Sequence, residues 1–280
     1  MQKKKTKSLD WEIKVQPVYT EGERLLRGYQ SIIKGEESNT VLSVMKNSYN
    51  PRTNKEFIDI VNELTVVAKT NAPEFSEYDS GRKVLAYLSN PRKKSIGGHQ
   101  ISDQILIGNS FDGSTSLFVA TVINYKGSNF TYMNKKAAFR VSHRTKELEH
   151  LFDYVEMMND YEEEKEMLYN RFEEMSDSKI SKDVVDDFIK AVIQYKTHDD
   201  EGEPVEISTR TQNKIDTMKE SIQKKFNELG ENVWALFNGV TDYTTYHYTG
   251  SKKQNVDGNM YGTQNTYNQR ALNYCLDLLA

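Results

Sequence analysis

Apolar residues in the first half of the chain recur at every second position. Trp11-Glu-Ile-Lys-Val15 alternates, as does Tyr29-Gln-Ser-Ile-Ile33, and Thr40–Met45 follows across the polar turn Gly35–Asn39. Successive side chains of a strand point to opposite faces, so these runs predict strands, the last two paired as a hairpin. The period then lengthens. Thr53 and Glu56 have the spacing of a capping box, and Phe57, Ile60, Val61, Leu64 and Val67 share one helical face. Asn71-Ala-Pro73 ends that helix. Strands are predicted again at Lys83–Leu88, from Gln104 onward, around Phe130–Met133 and at Ala138–Val141. Leu106–Val122 reads as a hairpin with its turn at Asn109–Gly113, because Asp followed by Gly tolerates positive φ angles.

From Thr145 the pattern is helical. Leu148, Leu151, Val155 and Met158 stand three and four apart, Leu168, Phe172 and Met175 continue the stripe, and Glu162–Glu164 form a solvated face. A shorter helix from Asp183 carries Val184, Phe188 and Val192, and the next carries Ile215, Met218, Ile222 and Phe226. Two final helices are predicted at 231–243 and 263–279, joined by a Gly-, Ser- and Asn-rich segment, 250–262, that reads as mobile. Strands and helices are segregated rather than alternating, which predicts an α+β chain. The expected architecture is a curved, mostly antiparallel β-sheet with one early helix, followed by a helical C-terminal half. Its parts would be a basic tail (1–10), a β-rich basic domain (11–144) and an acidic helical region (145–280) packed on it as one integrated unit.

Composition narrows the class. At 280 residues and 37% hydrophobic, the chain can bury a substantial core. No apolar run approaches the roughly 20 residues that span a bilayer, and the basic start, Met1–Lys7, has no apolar stretch behind it. The single cysteine, Cys275, leaves no intramolecular disulfide framework and no multi-cysteine zinc site. A soluble, cytoplasmic protein without membrane contact is expected. The net charge of −4 conceals a division: residues 1–144 hold 22 Lys and Arg against 14 Asp and Glu, whereas residues 145–280 hold 15 against 27. Such asymmetry suits either a basic functional half or attraction between the halves, within a chain or between subunits.

Basic residues are therefore the first candidates. The segment Asn90–His99, read as a loop, combines Arg92, Lys93 and Lys94 with the pair Gly97-Gly98. Cations neutralise phosphate, and glycine lets the backbone approach a phosphate oxygen; an ordinary solvated loop has the same composition. Lys135, Lys136, Arg140, His143 and Arg144 form a second set, with Tyr125, Phe130 and Tyr132 nearby as possible stacking platforms for unpaired bases or as core. His143, Glu147 and His150 share a helical face and are weak candidates for a metal, against a plain solvated face. Asp112 fits a structural role in its turn. Thr241, Asp242, Thr245 and His247 either line a cleft or end a helix. No phosphate-binding loop of the Walker type, dinucleotide fingerprint, nucleophile elbow or zinc-protease motif occurs, so binding is expected ahead of catalysis and no cofactor is implied.

Several short segments, in order, resemble a known family. They are Trp11, Tyr49-Asn-Pro51, Gly81-Arg-Lys-Val84, the Asn109–Thr115 turn, His143-Arg144, Trp234 with Asn238 and Tyr243, and Asn268–Leu272. Together they resemble the domain-of-unknown-function family 932, known mainly from phage and plasmid genomes. One departure is Asn124–Asn129, where the resemblance leads one to expect an arginine, an apolar residue and asparagine. The family brings no reaction with it, only a mobile-element setting. The resulting expectation is a phage or plasmid protein that binds nucleic acid, single-stranded DNA in replication or recombination being the form considered, and that forms homo-oligomers. The alternative is a phage protein that binds and inhibits or redirects a host protein.

Overall fold

A computed structural model describes residues 9–35, 40–132, 140–141, 154–198, 201–248 and 262–280. The strands are β1 (Ile13–Tyr19), β2 (Leu25–Lys34), β3 (Val41–Lys46), β4 (Glu74–Tyr78), β5 (Lys83–Ser89), β6 (Lys94–Ile96), β7 (His99–Ser110), β8 (Leu117–Tyr125), β9 (Ser128–Tyr132) and β10 (Arg140–Val141). The helices are α1 (Asn54–Ala68), α2 (Tyr154–Asp177), α3 (Val184–Ile193), α4 (Thr209–Leu229), α5 (Val233–Asp242) and α6 (Thr263–Asp277). The chain is α+β, with antiparallel pairings early and helices dominating late. It divides into two compact units. One comprises Met1–Arg92, Asp103–Thr121 and Met133–Glu164; the other comprises Lys93–Ser102, Val122–Tyr132 and Lys165–Ala280.

In the first unit β1, β2 and β3 form an antiparallel sheet in that order. Helix α1 starts where its sequence says it should. The Thr53 side chain accepts from the Glu56 amide, and the Glu56 carboxylate accepts from the Thr53 amide, so two otherwise unpaired donors are satisfied. Its apolar stripe, Phe57, Ile60, Val61 and Leu64, joins Ile32, Leu42, Val84, Ile105 and Ile107 in one core. Strand β5 pairs with both β4 and the later residues of β7. Strand β4 escapes the sequence pattern because an edge strand buries little and need not alternate strongly.

Four of the segments that carry the resemblance, Trp11, Tyr49–Pro51, Gly81–Val84 and the Asn109–Thr115 turn, meet in this unit. Trp11 packs edge-on against Phe111 at 5.4 Å, and the Tyr49 hydroxyl donates to the Ser110 carbonyl. The Phe111 amide donates to the Arg82 carbonyl. The turn itself is longer than the spacing suggests. Asn109 and Ser110 still belong to β7, and 111–116 make the connection. Asp112 accepts from the Ser114 amide at 2.9 Å, and it is Gly113 alone that takes positive φ.

The second unit has its own core. Phe172 lies 4.6 Å from Trp234 and 5.8 Å from Phe237, and Phe130 meets Phe237 edge-on at 5.2 Å. Around them are Phe188, Ile189 and Val192 of α3, Ile215, Met218 and Ile222 of α4, and Ala271, Leu272 and Cys275 of α6. Asn232 caps α5 by accepting from the Ala235 amide. Helices α4 and α5 approach so closely that a Cβ on Gly239 would lie 2.6 Å from the Ile222 Cα. Two expectations for α2 need correction. Val155 is 56% exposed rather than part of the apolar stripe, and Glu164, expected on the solvated face, is buried. A stripe read at a fixed period drifts around a helix of 24 residues. The predicted mobile segment 250–262 lies outside the described residues, apart from Gly262.

Candidate functional site

The basic segment 90–99 is not an open loop. Lys94–Ile96 pair with His99–Ile101, and Gly97 and Gly98, both at positive φ, make the two-residue turn. Its chemistry is partly spent on the protein itself. Lys94 Nζ sits 2.6 Å from Glu166 Oε2 and 5.3 Å from the Tyr169 ring centre. The Gly97 amide, well placed for a phosphate oxygen, donates instead to Glu173 at 2.9 Å. Arg92 and Lys93 are exposed. Lys135, Lys136, His143, Arg144, Glu147 and His150 lie outside the described residues, as does the side chain of Arg140, whose backbone stands opposite Phe118. Tyr125 and Phe130 are core, and Tyr132 is half-buried, tilted against Phe130 at 6.2 Å.

A different basic surface emerges from the three-stranded sheet. From Val15 to Tyr29 the β1–β2 hairpin buries no residue, and its turn is closed by hydrogen bonds between Thr20 and both Glu23 and Arg24. Lys14, Arg24, Arg27 and Lys46 are exposed, and none pairs with a carboxylate among the described residues. Two tyrosines lie among these cations. Tyr19 is 59% exposed opposite Leu25, and Tyr29 is 41% exposed opposite Lys46. Glu21 and Glu23 stand at the tip. Alternation along β1 and β2 predicts strands, but it does not reveal that neither side of their distal part is covered.

A second polar constellation lies in the other unit, where the sequence pointed to Thr241, Asp242, Thr245 and His247. Helix α5 ends in a widened turn, Tyr243–His247, closed by a hydrogen bond from the Tyr248 amide to the Tyr243 carbonyl. The Thr245 hydroxyl donates to the Thr241 carbonyl at 2.7 Å and accepts from the Asn129 amide. A threonine hydroxyl competing for a helix carbonyl favours such widening. The turn leaves Asp242 buried against α4 and β9. Asp242 Oδ1 lies 3.0 Å from Lys225 Nζ and accepts from the Ser128 hydroxyl. Lys225, also buried, reaches Glu228 at 3.4 Å, and Glu228 in turn meets Lys126 at 3.5 Å. Asp242 Oδ2 is buried and accepts no hydrogen bond among the described residues. Lys224 Nζ and His247 Nε2 each stand 3.8 Å from it. Lys224, Lys225 and Ser128 were not singled out in the sequence, since only the packing of α4 and β9 on α5 makes them neighbours.

The Asn124–Asn129 segment, which departs from the expected family pattern, builds the neighbouring turn. Lys126 and Gly127 both take positive φ, and Asn124 accepts from the Gly127 amide. Asn124 also donates to the Asn129 side chain at 2.8 Å. No helix of the described residues is long and apolar enough to cross a membrane, and no group of three or more metal-ligating side chains occurs among them.

Comparison with curated proteins gives no match, and comparison with solved structures gives none either. The family model for a domain of unknown function, DUF932, matches residues 41–272, which takes in α1, most of both cores and the Asp242 cluster. With most of the chain covered, the protein belongs to the DUF932 family.

Proposed function

We propose that this protein binds single-stranded nucleic acid through the β1–β2–β3 ribbon, in the replication or recombination of a phage or plasmid genome. The observation that carries this reading is the set of four exposed cations, Lys14, Arg24, Arg27 and Lys46, unpaired among the described residues and interleaved with exposed Tyr19 and Tyr29. Cations follow a sugar–phosphate backbone and release its counterions, while each tyrosine face accepts a stacked base of any identity. Lys94 contributes little here, since Glu166 already neutralises it. The mobile-element setting rests on the family resemblance.

Fluorescence anisotropy of a labelled single-stranded oligonucleotide tests the reading. Affinity falls steeply with salt, with a log–log slope of about −3 for four phosphate contacts. Arg24→Ala with Arg27→Ala weakens binding at least about tenfold, and Tyr29→Ala does so by a similar factor, because stacking on one ring is worth about 1–3 kcal/mol. Lys94→Ala leaves affinity nearly unchanged. An oligonucleotide that gives no anisotropy change at low salt ends the proposal. Light scattering with and without oligonucleotide measures the homo-oligomer expected to accompany binding.

A second reading draws on the same ribbon. Val15, Leu25, Leu26, Val41 and Val44 are also exposed, and a ribbon with apolar side chains exposed on both faces can receive a host protein instead. A stoichiometric complex that survives nuclease treatment and is lost on Leu25→Asp favours that reading over the first.

A further inference from the structure

The Asp242 cluster is built in a way that packing alone does not require. A buried carboxylate normally has both oxygens satisfied, because each unmet hydrogen bond costs free energy that folding has to offset. Here one oxygen, Oδ1, has Lys225 and Ser128, while Oδ2 has no hydrogen bond among the described residues. Around Oδ2 stand two cationic or proton-donating side chains, each 3.8 Å away, too far for a hydrogen bond. Lys224 and His247 are 58% and 45% exposed, so they are free to swing outward and open the oxygen to solvent. Nearby charge favours an anion: among the described residues, Lys224, Lys225 and Lys126 form ion pairs only with Asp242 and Glu228.

A ligand for this place must give a proton to Oδ2 and offer negative oxygens to the rim. We propose that the Asp242–Lys224–His247 cluster binds the monoanion of a phosphate monoester or of free phosphate. The P–OH group donates to Asp242 Oδ2, and the ionised oxygens accept from Lys224 Nζ and His247 Nε2. Lys225 and Ser128 hold the Asp242 carboxylate in place through Oδ1. Sulfate and internal phosphodiesters carry no proton at neutral pH, so Asp242 repels them. The site is thus selective for a terminal phosphate, and it is independent of the ribbon, which would engage internal phosphates.

Isothermal titration of the full chain at about pH 6, where a monoester keeps one proton on roughly half its molecules, tests this. The probes are inorganic phosphate, a nucleoside 5′-monophosphate, sulfate and a dinucleoside phosphodiester. Phosphate, the monophosphate or both bind, and sulfate and the diester bind at least about tenfold more weakly, the scale set by one lost charge-assisted hydrogen bond. Binding by the monophosphate but not by free phosphate identifies a phosphorylated end as the ligand; equal binding identifies the phosphate group alone. Lys224→Ala and His247→Ala, both at exposed positions, each weaken binding several-fold without moving the melting temperature. Arg24→Ala with Arg27→Ala leaves it unchanged, which separates this site from the ribbon. Sulfate bound as tightly as phosphate, no heat with either phosphate probe, or full affinity in the Lys224→Ala variant overturns the proposal.

Discussion

Lys225 and Cys275 show how burial sets what a side chain can do. Lys225 is as deeply buried as Asp242, and the pair is tolerated because each charge answers the other, with Glu228 and Ser128 taking further hydrogen bonds. Removing one partner strands the other. Lys225→Ala is expected to cost about 3–5 kcal/mol, read from urea unfolding, whereas a substitution at exposed Lys224 stays within about 0.5 kcal/mol. Cys275 is fully buried in the second core, and desolvation pushes its thiol well above the ordinary cysteine range. Since the thiolate is the reacting species, a thiol reagent at neutral pH should label the native protein very slowly and the urea-unfolded protein at once. Fast labelling of the folded chain would contradict this burial. Tyr243 offers a pH counterpart. Desolvation first, then the neighbouring Tyr267 and Tyr248, pushes its phenol from 10.0 to about 12. Burial favours the neutral form, so its contribution to stability is complete below pH 10 and is lost as pH rises through about 12. Titrating thermal stability across that window, with Tyr243→Phe as the comparison, isolates the effect.

At the scale of elements, local signals and tertiary context divide the work unevenly. The capping box of α1 is entirely local: Thr53 and Glu56 satisfy each other's amides before any long-range contact forms. Thr53→Ala is therefore expected to cost about 1 kcal/mol in the denaturant midpoint, and Thr53→Ser close to nothing. Strands β1, β2, β3, β5, β7, β8, β9 and β10 and the six helices among the described residues fall where periodicity placed them, because a half-buried face imposes its spacing on the sequence. The expected helical stretch from Thr145, with Leu148 and Leu151, lies outside the described residues up to α2. The failures share a cause. Strand β4 lies at an edge, and β6 is three residues of a hairpin whose partner holds it in place, so neither has a buried face to record. The widened turn after α5 is equally silent, although the hydroxyl-rich run Thr241–Thr245 that favours it is plain in the sequence.

For the molecule as a whole, the two units have separate hydrophobic clusters, one around Phe57, Phe111 and Trp11, the other around Phe172, Trp234 and Phe237. Truncating a large aromatic in either core costs about 3–5 kcal/mol. Hydrogen exchange should show where: Phe57→Ala is expected to raise exchange first in α1, β4 and β5, and Phe172→Ala first in α3, α4 and α5. Uniform loss of protection in both variants would instead mean that the two cores unfold as one. The grouping also places residues 93–102 and 122–132 with the later helices.

What the sequence determined by itself is whatever depends on neighbours a few residues away: the period of each element, the caps, the glycine turns, and the ordered segments that mark the family. It also drew attention to Asp242 and His247 as a polar cluster. Only the tertiary structure decided which charges are spent and which are free. Lys94 and Arg24 look alike in sequence, yet one lies against Glu166 while the other stands on a ribbon without a carboxylate partner among the described residues. The physical reason is that a side chain's charge acts through its distance to other charges and its access to water. Both are set by residues far along the chain: Lys225 and Asp242 are 17 positions apart, and Ser128 and Asp242 are 114 apart.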